Sequence, residues 1–264
     1  LAAAEQELRR ALVHGLQQAE VDREALEQQS PYRLTAANAN TRANNDVADL
    51  IMASVENNRV PTDPQTDLAL YTASITGLKA QTVTQMLKSS VGNGGSPLIF
   101  FTSSKPVAGG DAAIKDAYLA STKVPVAAPP PSTIKQFMYR NFGTKGAVAE
   151  RRAVNDLGAT LVRFSNGVKL NVKPTTYEKD KVSVIARFKG GYLALPKTKR
   201  GVAWALPFAF VEGGLGQLEI QELEQTEPGH FAGINLNVDE DAFQLSGDTV
   251  ERDVLLQLQV LAAF

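Results

Sequence analysis

The sequence predicts an α+β fold in which helices come first and an antiparallel sheet with helices follows. Two observations carry this. Residues 1–92 show apolar positions at helical spacing, broken by capping residues and prolines. From residue 147 the period changes to two, around turn signals such as "SNG". Segregation of this kind argues against a doubly wound parallel sheet.

The elements are read in order. Residues 3–28 form an amphipathic helix, with Leu8, Ala11, Leu12, Leu16, Ala19 and Val21 near one stripe. Ser30 is the expected N-cap of a second helix and Pro31 its first residue, and that helix runs on through "NNDVADLIMASVENN". Asp63 caps a third helix with Pro64 at its first position. "KAQTVTQMLKSSVG" is a fourth, closed by Gly92. "NGGSP" and the overlapping "GNGGS" are flexible turn, and "LIFFTSS" after them is expected to be a buried strand.

Residues 104–146 read as a Pro-rich linker lying along a domain surface. "KPVAGG" in it is loop and "GDAAIKDAYLAST" a short helix. "VPVAAPPPS" favours an extended form, and "FMYRNFG" carries exposed aromatics. Beyond it, "ATLVRFSNGVKLNVKPT" is a hairpin. "KVSVIARFKGG" is a strand with Val182, Val184 and Ala186 on one face and Ile185 on the other. Residues 201–214 are a helix, and "LGQLEIQELEQTEP" continues as a short one. "HFAGINLNVDEDAFQLSGDT" forms two strands around "DED". The last segment is a helix capped by Asp248 or Thr249. The expected domains are therefore 1–103, the linker 104–146, and 147–264.

Composition narrows the function. Net charge is −1, so no basic surplus points to nucleic acid. No run of 18 apolar residues spans a membrane, and no signal-peptide pattern opens the chain. With no cysteine, disulfides, thiolate zinc sites and a cysteine nucleophile are excluded. The two histidines, His14 and His230, are far apart and lack an i+4 partner, so a metal site built from them is not expected. His230 reads as a surface turn residue and His14 as an exposed or partly packed one. "EGGLG" lacks the Lys-Ser/Thr of a phosphate loop, "DEDAF" is a turn, and "KPTTYEKDK" is a solvated loop. The chain begins in helical rhythm and stops within an apolar pattern, which reads as an excerpt of a longer protein.

The stretch "GVAWALPFAFVEGG" holds a proline inside an apolar helix, at a cost of roughly 3 kcal/mol. Together with "VRFSNGVKLNVKPT" and "KVSVIARFKGG" it resembles the opening of a module of the pitrilysin-type (M16, inverzincin) zinc metallopeptidases. In that family a "LxNGxxV" hairpin and a strand precede a "GxAHxxEHxxFxGT" helix. Gly201, Ala203 and Gly213 match that helix, and Phe210 lies one place before its apolar position. "ELRRALVHGLQQAEVDREAL" resembles the family's "ELxxLxxxGxTxAELxRAK" helix, and "LIFFTSS" its last strand. The resemblance thus straddles a module boundary: the helical second half of one module, the linker, then the first half of the next.

The metal motif itself departs from the family. Trp204 stands at the first histidine position, Pro207 at the glutamate and Phe208 at the second histidine. None of the three can bind zinc or take a proton. The resemblance therefore implies no catalytic or metal residue and no cofactor in this segment, with zinc and a peptide substrate in the parent protein. Trp204, Pro207 and Phe208 would be buried core, and Pro207 could begin the helix at its first position. The segment would form chamber wall, with residues 104–146 permitting opening and closing, among other modules of the same chain or a partner subunit. The alternative is a scaffold or partner subunit that has lost zinc and activity throughout; an unrelated α+β binding domain would lack the hairpin, strand, helix order. A bacterial, periplasmic compartment is favoured by the resemblance. Exposed half-modules predict a homodimer or strand exchange between copies.

Overall fold

The computed structural model describes residues 1–92, 98–132, 135–198 and 201–264. Among them the α+β class and the helices-first order are observed. The turn "NGGSP" lies outside the described residues. The chain forms two compact units, one of residues 1–28 and 70–134, the other of residues 29–69 and 135–264.

In the first unit, α1 (Ala2–His14) ends where the sequence predicts continuation. Gly15 adopts φ 82°, a left-handed conformation that L side chains rarely take, and a Cβ there would lie 3.4 Å from Thr84 Oγ1. The Leu16 N–H then donates to that hydroxyl at 3.0 Å. The expected single helix over 3–28 is therefore two, α1 and α2 (Gln18–Ala37). Ser30 and Pro31 lie inside α2, not at the start of a helix. Gln29 and Ser30 are buried there, and burial outweighs the local start signal.

Helix α5 (Ala80–Gly92) and helix α6 (Gly110–Ser121) complete this unit, both as expected. Ser121 is buried, donates to Glu5 Oε2 at 2.5 Å and receives Arg9 Nη2 on its carbonyl at 3.0 Å. The Pro-rich connector runs beside α1 and the turn that follows it. Arg10 Nε donates to the Ala127 carbonyl at 3.0 Å and Gln17 Nε2 to that of Pro130 at 2.8 Å. His14 Nε2 sits 2.8 Å from the Val126 oxygen. Leu98–Phe101 is not a buried strand: Leu98 and Phe100 are exposed, and no described strand pairs with the segment. An apolar run acquires strand geometry only against a partner edge.

In the second unit, α3 (Asn44–Glu56) stops before Pro61, and α4 (Pro64–Ile75), whose last turns belong to the first unit, starts at the predicted cap. Asp63 Oδ1 accepts the Gln65 and Thr66 amides at 3.0 and 3.1 Å. A first sheet is formed by β1 (Val148–Val154), β2 (Ala159–Phe164) and β3 (Lys169–Val172), antiparallel in that order. The β2–β3 hairpin around "SNG" was legible in the sequence. Strand β1, with its charged Glu150, Arg151 and Arg152, was not.

The second sheet holds β4 (Val182–Lys189), β5 (Asn235–Val238) and β6 (Ala242–Thr249) in the order β4-β6-β5. Ala186 pairs with Leu245, which pairs with Leu236, so these three share one face. Helices α7 (Val202–Glu212) and α9 (Val254–Ala263) cover that face through Leu206, Phe210 and Leu261. Ile185 lies on the opposite face, as its period predicts, and is exposed. The "DED" segment is the β5–β6 turn. Arg187 clamps it, with 2.8 Å to Asp239 and 2.7 Å to Asp241.

Helix α8 (Ile220–Gln225) opens with a capping box between Glu219 and Glu222. Phe137, Leu218 and Val260 form a second core cluster. Phe137 is thus buried against expectation, while Met138 and Phe142 of the same stretch are exposed as expected. Helix α9 starts later than predicted, after a 3-10 turn over Glu251–Asp253. Neither proposed cap serves it: the Thr249 hydroxyl donates to the Phe231 carbonyl at 2.5 Å, and Asp248 takes the Ser183 hydroxyl at 2.6 Å. Among the described residues no helix is long and apolar enough to cross a membrane.

Candidate functional site

The helix bearing Trp204, Pro207 and Phe208 forms where the sequence places it, between β4 and the β5–β6 hairpin. Its three motif positions behave differently from expectation. Trp204 is 77% and Phe208 65% exposed, and Pro207 is half-buried. The burial expected for them is therefore corrected. Helix α7 is apolar on nearly all sides, yet the sheet can cover only one. Leu206, Phe210 and Val211 take that side. Trp204 and Phe208, four residues apart, share another and meet with ring centroids 6.0 Å apart at 52°.

Pro207 does not begin the helix. It sits within it, with helical residues on both sides, and cannot donate to the Ala203 carbonyl. The anchoring contacts of Leu206 and Phe210, the latter 5.9 Å from the Phe264 ring, hold the helix across the missing bond. Trp204 and Phe208 offer two aromatic faces, and neither side chain is a metal ligand or a base. The pair can stack on or cover an apolar chain.

A second arrangement escaped the sequence reading. The loop 229–234 is fastened by the start of α9. Asp253, 2% exposed, accepts the Phe231 amide at 3.0 Å, and His230 Nδ1 lies 2.6 Å from its other oxygen. Arg252 Nη2 donates to the Gly229 carbonyl at 2.6 Å. Gln257, fully buried, accepts the Gly233 N–H at 2.9 Å and donates to the Gly233 carbonyl at 2.7 Å. The only sequence signal was the polar Gln257 inside the apolar pattern of α9.

The His230 ring is a surface residue, as expected, and borders a cleft of ≈ 260 Å³ with Glu212, Glu224, Thr226 and Glu227. A histidine held by a buried aspartate invites comparison with a catalytic dyad. The geometry answers otherwise. Asp253 is also occupied by the Phe231 amide, and the Thr226 hydroxyl donates to the Leu223 carbonyl at 2.8 Å, so it is not aimed at His230. The pair is a fastening. At the far side of α8, Lys135 bonds Glu222 and holds its carboxyl below the usual range, with the Glu219 amide adding to the effect.

A cleft of ≈ 480 Å³ lies beside Leu34, Asn38, Arg42, Phe231 and Asp248. Lys181 on its wall is held above the ordinary ammonium range by its bond to Glu178, with Asp248 contributing. His14 lies in the first unit and His230 in the second. Among the described residues no group of three His, Asp or Glu could hold a metal ion.

No family model matches the chain, and no curated protein matches it either. Among solved structures, the chain is similar to the periplasmic protease PqqL from Escherichia coli, with a TM-score of 0.46 and 16% identity. It is also similar to the ferredoxin protease FusC in complex with Arabidopsis ferredoxin, with a TM-score of 0.42 and 15% identity. Each likeness covers 99% of this chain, and the chain spans 29% of either protein's length.

Proposed function

We propose that this chain is a non-catalytic, chamber-forming segment of a zinc-dependent peptidase of the pitrilysin type, one that hydrolyses peptides in a periplasmic compartment. The observation that carries the reading is α7 itself. It follows the "SNG" hairpin and strand β4 in the order the family resemblance requires, and it presents Trp204 and Phe208 outward at the ligand positions. Outward-facing aromatics at those positions suit a wall that an extended peptide slides against. The zinc, the activating glutamate and the attacking water would belong to another module of the parent.

The test has two parts. The 264-residue chain, dialysed against zinc and measured by plasma mass spectrometry, should retain no stoichiometric metal and cleave no peptide. The intact parent should hold one zinc per chain and lose cleavage with a chelator. Metal or cleavage in the segment alone would refute the reading. A zinc-free, inactive parent would replace it with the scaffold subunit.

A further inference from the structure

Among the described residues strand β3 is an open edge. It ends the β1-β2-β3 sheet, and all four of its residues are exposed. The Phe164 N–H donates to the Val168 carbonyl at 2.8 Å, and Val162 and Thr160 face Leu170 and Val172. Antiparallel pairing alternates, so Lys169 and Asn171 turn their backbone N–H and C=O groups away from β2, toward the open side. The side chains alternate too. Val168, Leu170 and Val172 lie on one face, 55%, 43% and 46% exposed.

The other face carries Lys169 and Asn171. Lys173 continues it, because a residue before proline is held extended. Among the described residues neither Lys169 nor Lys173 has a carboxylate partner. The next cation inward, Arg163, is already paired with Glu150 at 3.3 Å.

From this juxtaposition we infer that β3 is a docking edge for an extended peptide in which apolar residues alternate with acidic ones. Its backbone completes the ladder at Lys169 and Asn171. Its apolar side chains cover Val168, Leu170 and Val172, and its carboxylates lie opposite Lys169 and Lys173. The inference does not depend on the peptidase reading, since an open edge takes an extended chain with or without a peptidase site elsewhere. A second copy's Leu98–Phe101 segment, which pairs with no strand among the described residues, is uncharged and leaves the two lysines unmatched.

The test uses the full chain and a fluorescein-labelled peptide, Val-Glu-Val-Thr-Val-Glu-Val, carrying a solubilising polyethylene-glycol tail, followed by anisotropy. Saturable one-to-one binding is expected, weakened by salt. The Lys-for-Glu peptide and the Lys169→Glu/Lys173→Glu variant should each lose about tenfold in affinity. The Lys-for-Glu peptide should regain affinity on that variant, which also shows that the variant folds. Asn171→Pro removes an outward N–H and should abolish binding with the circular dichroism spectrum unchanged. Absence of saturable binding, or affinity indifferent to the charge swap, overturns the inference. So does an oligonucleotide that displaces the peptide and binds Asn171→Pro undiminished, which would mark a general anion surface.

Discussion

Replacing Gln257 by Leu removes the fastening between α9 and the loop before β5 while leaving a side chain of similar bulk. Gln257 is fully buried and makes two bonds, 2.9 Å and 2.7 Å, to the N–H and C=O of Gly233. Each net bond is worth about 0.5–1.5 kcal/mol, and a buried group left unpaired costs about 1–3 kcal/mol. Gly233 is only partly buried, so water can reach its groups in part. Leu also adds apolar contact with the Val260 and Leu256 side of the core. The expected net loss is about 2–3 kcal/mol. Urea unfolding followed by circular dichroism measures it, and hydrogen exchange over residues 229–238 localises it, with the Gly233 amide losing protection first. A loss below about 0.5 kcal/mol with Gly233 exchange unchanged would refute the claim that Gln257 fastens the loop.

Three further outcomes follow from the same structure. Gly247→Ala should destabilise the second sheet by about 1–3 kcal/mol in the same urea assay, because a Cβ there would lie 2.0 Å from the Gly233 oxygen and 2.5 Å from Gln257 Nε2. Trp204→Ser and Phe208→Ser should change stability by no more than about 0.5 kcal/mol, since both rings are exposed, and a larger loss in thermal melts would mean they are packed core after all. Glu5 is held below the usual carboxylate range by its bonds to Arg9 first and Ser121 second. The sign follows: its contribution is present above the unfolded carboxylate value of about 4.3 and is lost as pH falls through the lower folded value. Glu5→Gln should flatten the acid limb of a stability–pH curve, and an unchanged limb would show that the Glu5 contact with α6 adds nothing.

The two-residue period around "SNG" was enough to place β2 and β3, that of "KVSVIARFKGG" to place β4, and the Asp63–Pro64 pair fixed the start of α4. These features depend on dihedral preference and hydrogen bonds reaching no more than four residues, which is information a sequence carries in place. Strand β1 was missed because its Glu150, Arg151 and Arg152 hide the alternation that an apolar strand displays. The chemistry of Trp204, Pro207 and Phe208 was equally legible, since that an indole, a proline ring and a phenyl ring neither bind a metal nor take a proton is a matter of side-chain chemistry alone.

Burial was not legible. "LIFF", Trp204 and Phe208 look like core, and Phe137 looks like surface, yet the structure reverses each of these. Hydrophobicity states what a residue gains from a partner surface, and only the tertiary arrangement decides whether that surface arrives. Ser30 and Pro31 read locally as a helix start and lie inside α2, where packing around Gln29 and Ser30 prevails. The fastening of loop 229–234 by Asp253 and Gln257 joins positions more than 20 apart in sequence. The residues named most of the strands and turns on their own. Which faces meet and which stay open to a partner was decided by contacts between distant segments, because the free energy of burial belongs to pairs of surfaces and not to a residue alone.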